Sequence, residues 1–364
     1  MKALILNSGL GHRMGVLTSE HPKCMTEITG KDTILSRQLR LIADAGITEV
    51  VMTTGYYNEI LVNYCLSLGL PLHFTFVNNP LYDKTNYIYS IYCAKDELYG
   101  DDVVLMHGDL VFEDGVFARV LESEQSCMTV SSTLALPEKD FKAVVRNGRI
   151  EKVGIEFFTD AMAAQPLYKI NAADFKVWLD EMVKFCENDN RRCYAENAFN
   201  EVSDKCRIVP LDFADELCAE IDTPEDLAVV SARVRELECR TVYMCFSTDM
   251  LHSGHIAIIK KAAKLGKLTV GVLSDEAIAS YKRFPLMPYE ERKSLFESIN
   301  GVDRVVEQKE LSYSENLRAL RPDFVPPPSA RRSACRRGNP GSRSAPPRRW
   351  PGWRRRSPRL RRRG

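Results

Sequence analysis

The chain has no apolar run long enough to span a bilayer, and its 11 cysteines include no Cys-x-x-Cys pair and no regular spacing. The first absence excludes a transmembrane helix. The second argues against a thiolate metal site and a disulfide framework, and points to a reduced, cytoplasmic protein. "MKALIL" at the start is too short for a signal-peptide core. Lys, Asp and Glu are all missing from residues 326–364, which hold 14 Arg. The formal net charge of +1 therefore averages two unlike parts. The preceding 325 residues carry 36 basic against 49 acidic groups, a net of −13. An acidic body argues against nucleic acid as a partner. With 364 residues, 45% hydrophobic and 27% charged, the chain has room for two or three soluble domains.

What is present begins with "LNSGLGHRMG", directly after the apolar run Ala3-Leu4-Ile5-Leu6. An apolar run ending in glycines reads as a buried strand delivering its end to a loop. Such a loop brings backbone N–H groups close to a ligand, commonly a phosphate, or it is a tight strand-to-helix turn with no ligand. "EVVMTTG" (49–55), "HFTFV" (73–77) and "DVVLMHGD" (102–109) read as further buried strands, and "ILSRQLRLIADAG" (34–46) as a helix stopped at Gly46. Alternating strands and helices predict a mainly parallel, Rossmann-like α/β sheet covered on both faces. "MTVSST" (128–133), "FKAVVRNGRIEKVG" (141–154, with an Asn-Gly hairpin turn) and "CRIVPL" (206–211) add strands. After the helix "PEDLAVVSARVRELE" (224–238) the pattern restarts: strand 241–247, helix 255–266, strand 268–274, strand 304–307. The expected organisation is a first domain over 1–237, a second over 238–325, and a disordered tail over 326–364 whose composition cannot bury a core. Two of the three tryptophans sit in that tail.

The order G-x-G-x-R-M, Thr18, Pro22-Lys23-x-Met25 resembles the signature of nucleotidyltransferases that join an NTP to a phosphorylated small molecule. That family includes sugar-phosphate nucleotidylyltransferases and bacterial phosphocholine cytidylyltransferases. The resemblance implies that Leu6, Asn7, Ser8, Gly9 and Gly11 hold the nucleotide, with Arg13 and Lys23 as the catalytic cations. It places metal-binding acids at Asp109 in "LMHGDLVF" and Asp222 in "EIDTPEDL", with Mg2+ as the ion. Asp222 also has the plainer alternative of capping the helix that follows it. "TTGYYNEI" and "NNPLYDKTNYIYS" look more like the phosphocholine branch, whose TN…S segment matches Thr85, Asn86 and Ser90. Glu196 is then a candidate counter-charge for an amine on the acceptor, or a solvated helix residue. Tyr82, Tyr87, Tyr89 and Tyr92 suit an ammonium group or, alternatively, helix packing. Asn7-Ser8 stands where many members have two alanines, which leaves the base preference open.

The second domain carries His252-Ser253-Gly254-His255 between a strand and a helix. This H-x-G-H signature resembles the cytidylyltransferase-like superfamily, most closely the domain fused ahead of phosphoenolpyruvate mutase in phosphonate biosynthesis. The resemblance implies that Ser253 and Gly254 bind phosphate at a helix N-terminus, that His252 and His255 donate hydrogen bonds there, and that Lys282 contacts phosphate. Family members continue into a further strand, a helix and an R-x-x-G-I-S-T-type motif. Here the chain turns instead to "PPPSARRSACRRGNPGSRSAPPRRWPGWRRRSPRLRRRG", a composition expected from GC-rich DNA read out of frame. The second domain is thus expected to be incomplete, with a genuine basic tail as the alternative.

Together these readings predict a cytidylyltransferase that moves CMP from CTP to a small phosphorylated or phosphonylated acceptor, 2-aminoethylphosphonate, 2-hydroxyethylphosphonate or phosphocholine. The alternatives are a sugar-1-phosphate nucleotidylyltransferase and a nucleic-acid-binding protein acting through its Arg-rich tail.

Overall fold

The structure is a computed structural model that describes residues 1–248 and 250–326. The expected disordered tail lies outside the described residues, apart from Pro326. The chain divides into two compact units, Met1–Val234 and Arg235 onward, so the division falls inside the long helix before the second strand set.

The first unit is built on one nine-stranded sheet. Its strands are β1 (Lys2–Leu6), β2 (Glu49–Thr54), β3 (His73–Asn78), β4 (Val103–His107), β5 (Cys127–Ser131), β6 (Lys142–Arg146), β7 (Arg149–Gly154), β8 (Ala161–Ile170) and β9 (Val209–Asp212). The order runs β7-β6-β8-β4-β1-β2-β3, and β5 pairs with both β8 and β9. The central block β4-β1-β2-β3 is parallel, as the buried apolar runs require. Side chains of β1 alternate between two cores. Leu4 and Leu6 join Leu105, Trp178 and Phe199 on one face, while Ala3 and Ile5 join Met52, Met106, Leu35 and Leu39 on the other.

The antiparallel half depends on β8, which pairs with β4, β5 and β6. The β6–β7 hairpin turns at Asn147 and Gly148, with φ of 50° and 72°, the conformation an Asn-Gly turn supplies. Helix α1 (Ile34–Asp44) starts from a capping box between Thr33 and Ser36 and stops before Gly46, whose φ is 79°. Helices α2 (Tyr87–Cys93), α3 (Ala172–Glu187) and α4 (Ala195–Val202) cover the Leu4 face, and α5 (Pro224–Cys239) closes the unit.

The second unit has three parallel strands, β10 (Thr241–Phe246), β11 (Lys267–Leu273) and β12 (Arg304–Gln308), in that order. Helix α6 (Ser253–Ala263) crosses over from β10 and buries Ile259 and Ala262 against Val242, Val270 and Val272. Phe324 forms a parallel bridge to Val242, on the side of β10 away from β11.

Candidate active site

Strand ends converge on the opening loop. Leu6 ends β1, and the N–H of Gly108, just past β4, donates to its carbonyl at 3.0 Å. A Cβ on Gly108 would overlap Asn7 Oδ1, and one on Gly55, just past β2, would overlap the Ser8 carbonyl. The glycine requirement therefore extends beyond the loop to the neighbouring strand ends. Asn7 Nδ2 and Ser8 Oγ are buried with no hydrogen-bond partner among the described residues, so the loop has polar capacity for a ligand. Leu6, Asn7, Gly9, Gly11, Arg13 and Lys23 all line a cavity of about 730 Å³.

The two acid motifs meet through a short antiparallel ribbon, Leu110–Phe112 with Cys218–Glu220. Ile221 N donates to Asp109 O at 3.0 Å, which locks the second motif onto the first. Gln38 of α1 donates to the carbonyls of His107 and Leu110 at 2.9 and 2.7 Å and so holds the turn that carries Asp109. Lys23 Nζ lies between the two acids, bonded to Asp109 Oδ2 and, at 2.7 Å, to Asp222 Oδ1. Arg13 reaches the same Asp222 oxygen at 2.9 Å. Asp222 does not cap the following helix. Thr223 Oγ1 does so, accepting from Asp226 N at 3.2 Å, while Asp226 accepts back from the Asp222 and Thr223 N–H groups, leaving the Asp222 carboxylate for the cations.

The electrostatics follow from this packing. Burial works against the Lys23 ammonium, but Asp109 and Asp222 outweigh it and raise its pKa. Burial likewise opposes the Asp109 carboxylate, yet Lys23 and His107 bring its pKa below the usual value. His107 Nδ1 is 2.9 Å from Glu220 Oε1. Glu220 is pushed up to about 7 by burial and by Asp109, while burial of His107 is overcome by Glu220 and its pKa rises.

Asp109 Oδ1 is buried without a hydrogen-bond partner among the described residues, a hard oxygen beside a second carboxylate and a cavity. That donor set fits a divalent cation bound partly by substrate phosphates.

The expected acceptor residues are placed unequally. Asn86 caps α2 by accepting from Tyr87 N at 2.8 Å and lines the cavity. Ser90 is buried, accepts from Asn79 Nδ2 at 3.0 Å, and lines an adjoining cavity of about 180 Å³ together with Ser8 and Tyr82. Glu196 departs from the solvated-helix expectation. It is 2% exposed, and its oxygens accept from the hydroxyls of Tyr87 and, at 2.8 Å, Tyr168. Tyr87, which does line the cavity, stands on one of its oxygens, and Glu196 itself is not among the lining residues. Tyr87 lines both cavities, whereas Tyr89 and Tyr92 stack on each other and pack on the core.

In the second unit His252 is the N-cap of α6, and its Nδ1 accepts from Gly254 N at 3.1 Å. His255 Nδ1 faces His252 N at 3.4 Å, and the two rings stack with centroids 3.9 Å apart. With Nδ1 accepting, a neutral ring carries its proton on Nε2, which makes each histidine a donor on the other side. Burial and the neighbouring His252 lower the His255 pKa, favouring that neutral form. A Cβ on Gly254 would crowd His252 Cε1 at 2.8 Å. Lys282 Nζ donates to Ser247 O at 2.7 Å, so it lies at the carboxyl end of β10, where α6 also begins.

The family model for MobA-like NTP transferase domains matches residues 3–140, and that for cytidylyltransferase-like domains matches residues 245–326. The chain thus resembles an NTP transferase domain over residues 3–140 and a cytidylyltransferase-like domain over residues 245–326. It is 30% identical over 169 residues to the CTP:phosphoglutamine cytidylyltransferase of Campylobacter jejuni, covering 42% of this chain and 65% of that protein. It is 32% identical over 134 residues to the CMP-5'-(3-aminopropyl)phosphonate synthase of Streptomyces rubellomurinus, covering 36% of this chain and 21% of that protein. The chain thus spans less than two thirds of either relative. Among solved structures, the CTP:phosphocholine cytidylyltransferase of Streptococcus pneumoniae superposes with a TM-score of 0.51 at 16% identity, over 64% of this chain and 98% of that one. That likeness is one of fold, and it falls on an α/β architecture with a mainly parallel central sheet.

Sequence reasoning missed two residues of the first unit, His107 and Glu220. Each is the last residue of its strand, two positions before a named acid, and that place at a strand end was the available signal.

Proposed function

We propose that the NTP transferase domain transfers CMP from CTP to a small phosphorylated or phosphonylated acceptor and releases pyrophosphate. The observation that carries this reading is the Lys23 ammonium held between Asp109 and Asp222 beside a glycine-loop cavity with unspent hydrogen-bonding atoms. Asp109 and Asp222 are the carboxylates that would hold Mg2+, which supplies charge neutralisation on the phosphates when bound. Residues 6–11 hold the nucleotide. An oxygen of the acceptor phosphate or phosphonate forms a bond to the α-phosphorus as the bond to pyrophosphate breaks, and Lys23 and Arg13 offset the charge that develops. Asn86, Ser90 and Tyr87 border the acceptor. The compounds after which the relatives are named, phosphoglutamine and an aminopropylphosphonate, favour an acceptor of that size over a sugar phosphate.

The cytidylyltransferase-like domain offers a second phosphate site: N–H groups of Ser253 and Gly254, the Nε2 sides of His252 and His255, and Lys282. Among the described residues the cysteines form no disulfide, which fits a cytoplasmic setting.

The test is pyrophosphate release with CTP and Mg2+, offering 2-aminoethylphosphonate, 2-hydroxyethylphosphonate, phosphocholine and glucose 1-phosphate in turn. Turnover with a phosphonate or phosphocholine that disappears in Asp109→Ala but persists in His252→Ala is the expected result. Turnover with the sugar phosphate alone would overturn the acceptor class.

A further inference from the structure

The reading above uses Asp109 and leaves its two close neighbours without work. His107, Asp109 and Glu220 each offer a ligand atom within 4.8 Å of the others'. Glu220 sits on His107 Nδ1 at 2.9 Å. A neutral imidazole carries one proton, and a carboxylate on Nδ1 holds it there, so the Nε2 lone pair is left available. Nε2 is buried without a hydrogen-bond partner among the described residues. Asp109 Oδ1 is in the same state, since Lys23 occupies the other oxygen. One nitrogen and one oxygen donor, both buried and unpartnered, thus belong to two residues that line the same pair of cavities. Unpaired buried polar atoms are expensive to keep, and a cation would satisfy both.

The surroundings fix the ring. The Tyr87 ring meets His107 edge-on with centroids 4.7 Å apart, and Glu196 anchors the Tyr87 hydroxyl. A carboxylate on the far nitrogen of a histidine is the usual outer-shell partner of a metal-binding imidazole.

We propose that His107 ligates the site's divalent ion through Nε2, alongside Asp109, with Glu220 orienting the ring. This rests on the metal-dependent reading above. Its consequence is selectivity. Mg2+ takes hard oxygen donors and gives up water reluctantly, whereas an imidazole donor favours ions further along the transition series. The site binds Mn2+ in preference to Mg2+.

The experiment uses the full chain with CTP. Electron paramagnetic resonance of free Mn2+ gives the Mn2+ affinity, Mg2+ competition gives the preference, and electron spin-echo modulation on bound Mn2+ reports directly coupled nitrogen. The expected result is a nitrogen coupling in the unaltered protein that is absent from His107→Gln. Mn2+ affinity in that variant falls about tenfold or more while Mg2+ affinity changes little, and Glu220→Gln gives a smaller loss. Equal losses for both ions, unchanged Mn2+ affinity, or bound Mn2+ without the coupling would overturn the assignment. Should His107→Gln fail to fold, the coupling in the unaltered protein, with His252→Ala as the control for the other histidine pair, still decides it. Absence of the coupling in a chain that releases pyrophosphate sinks His107 ligation alone. The coupling in a chain that releases none keeps the ion site and sinks the transferase reading.

Discussion

Lys23 is a partly buried cation whose neighbours are two carboxylates, so its removal leaves like charges facing each other. Lys23→Ala should cost about 3 kcal/mol in urea-induced unfolding, and pyrophosphate release should fall by roughly 10²–10³. Adding a divalent cation should raise the melting temperature of this variant more than that of the parent, because the ion restores positive charge between Asp109 and Asp222. Glu196 gives a contrasting prediction. Glu196→Leu strands the hydroxyls of Tyr87 and Tyr168, costing about 1–3 kcal/mol, whereas Glu196→Gln should leave the preference between amine-bearing and hydroxyl-bearing acceptors unchanged. A shift in that preference would return Glu196 to the acceptor site. The difference shows what a single residue's sequence context conceals. Asp109 and Asp222 were legible because a motif order names them. Glu196 was not, because which face of α4 is buried depends on Tyr87 and Tyr168, more than 25 positions away in each case.

At the level of elements, the parallel strands were legible because burial on both faces forces continuous apolar runs, and the β6–β7 hairpin because Asn147-Gly148 supplies two positive φ angles. Strand β8 and helix α3 were not foreseen. "AMAAQPLYKI" contains Pro166, which argues against a central strand. The fold accommodates it where the β8–β5 register shifts between Gln165 and Tyr168, so the missing N–H falls at an irregularity. Two glycines separate the roles of turn and site. Gly148→Ala should cost about 1 kcal/mol through its positive φ and leave turnover intact. Gly108→Ala should reduce both stability and turnover, because the new methyl displaces Asn7 from the nucleotide loop. Parallel urea titrations and pyrophosphate assays on the two variants check this.

Taken as a whole, the chain carries two candidate phosphate-binding clusters in two units with separate cores. If each works on its own, the double variant Asp109→Ala/His252→Ala should lose the sum of the single losses in unfolding free energy, within about 0.5 kcal/mol, and neither single variant should alter CTP affinity at the other site by calorimetry. The short ribbon joining Leu110–Phe112 to Cys218–Glu220 has a further consequence for how the first site comes into being. It ties the Asp109 turn to a partner made more than a hundred residues later. On the ribosome Lys23 and Asp109 emerge well before Asp222, so the cluster of one lysine and two carboxylates is complete only once residue 222 has been made. Assembly of the cluster thereby waits on synthesis of most of the first unit.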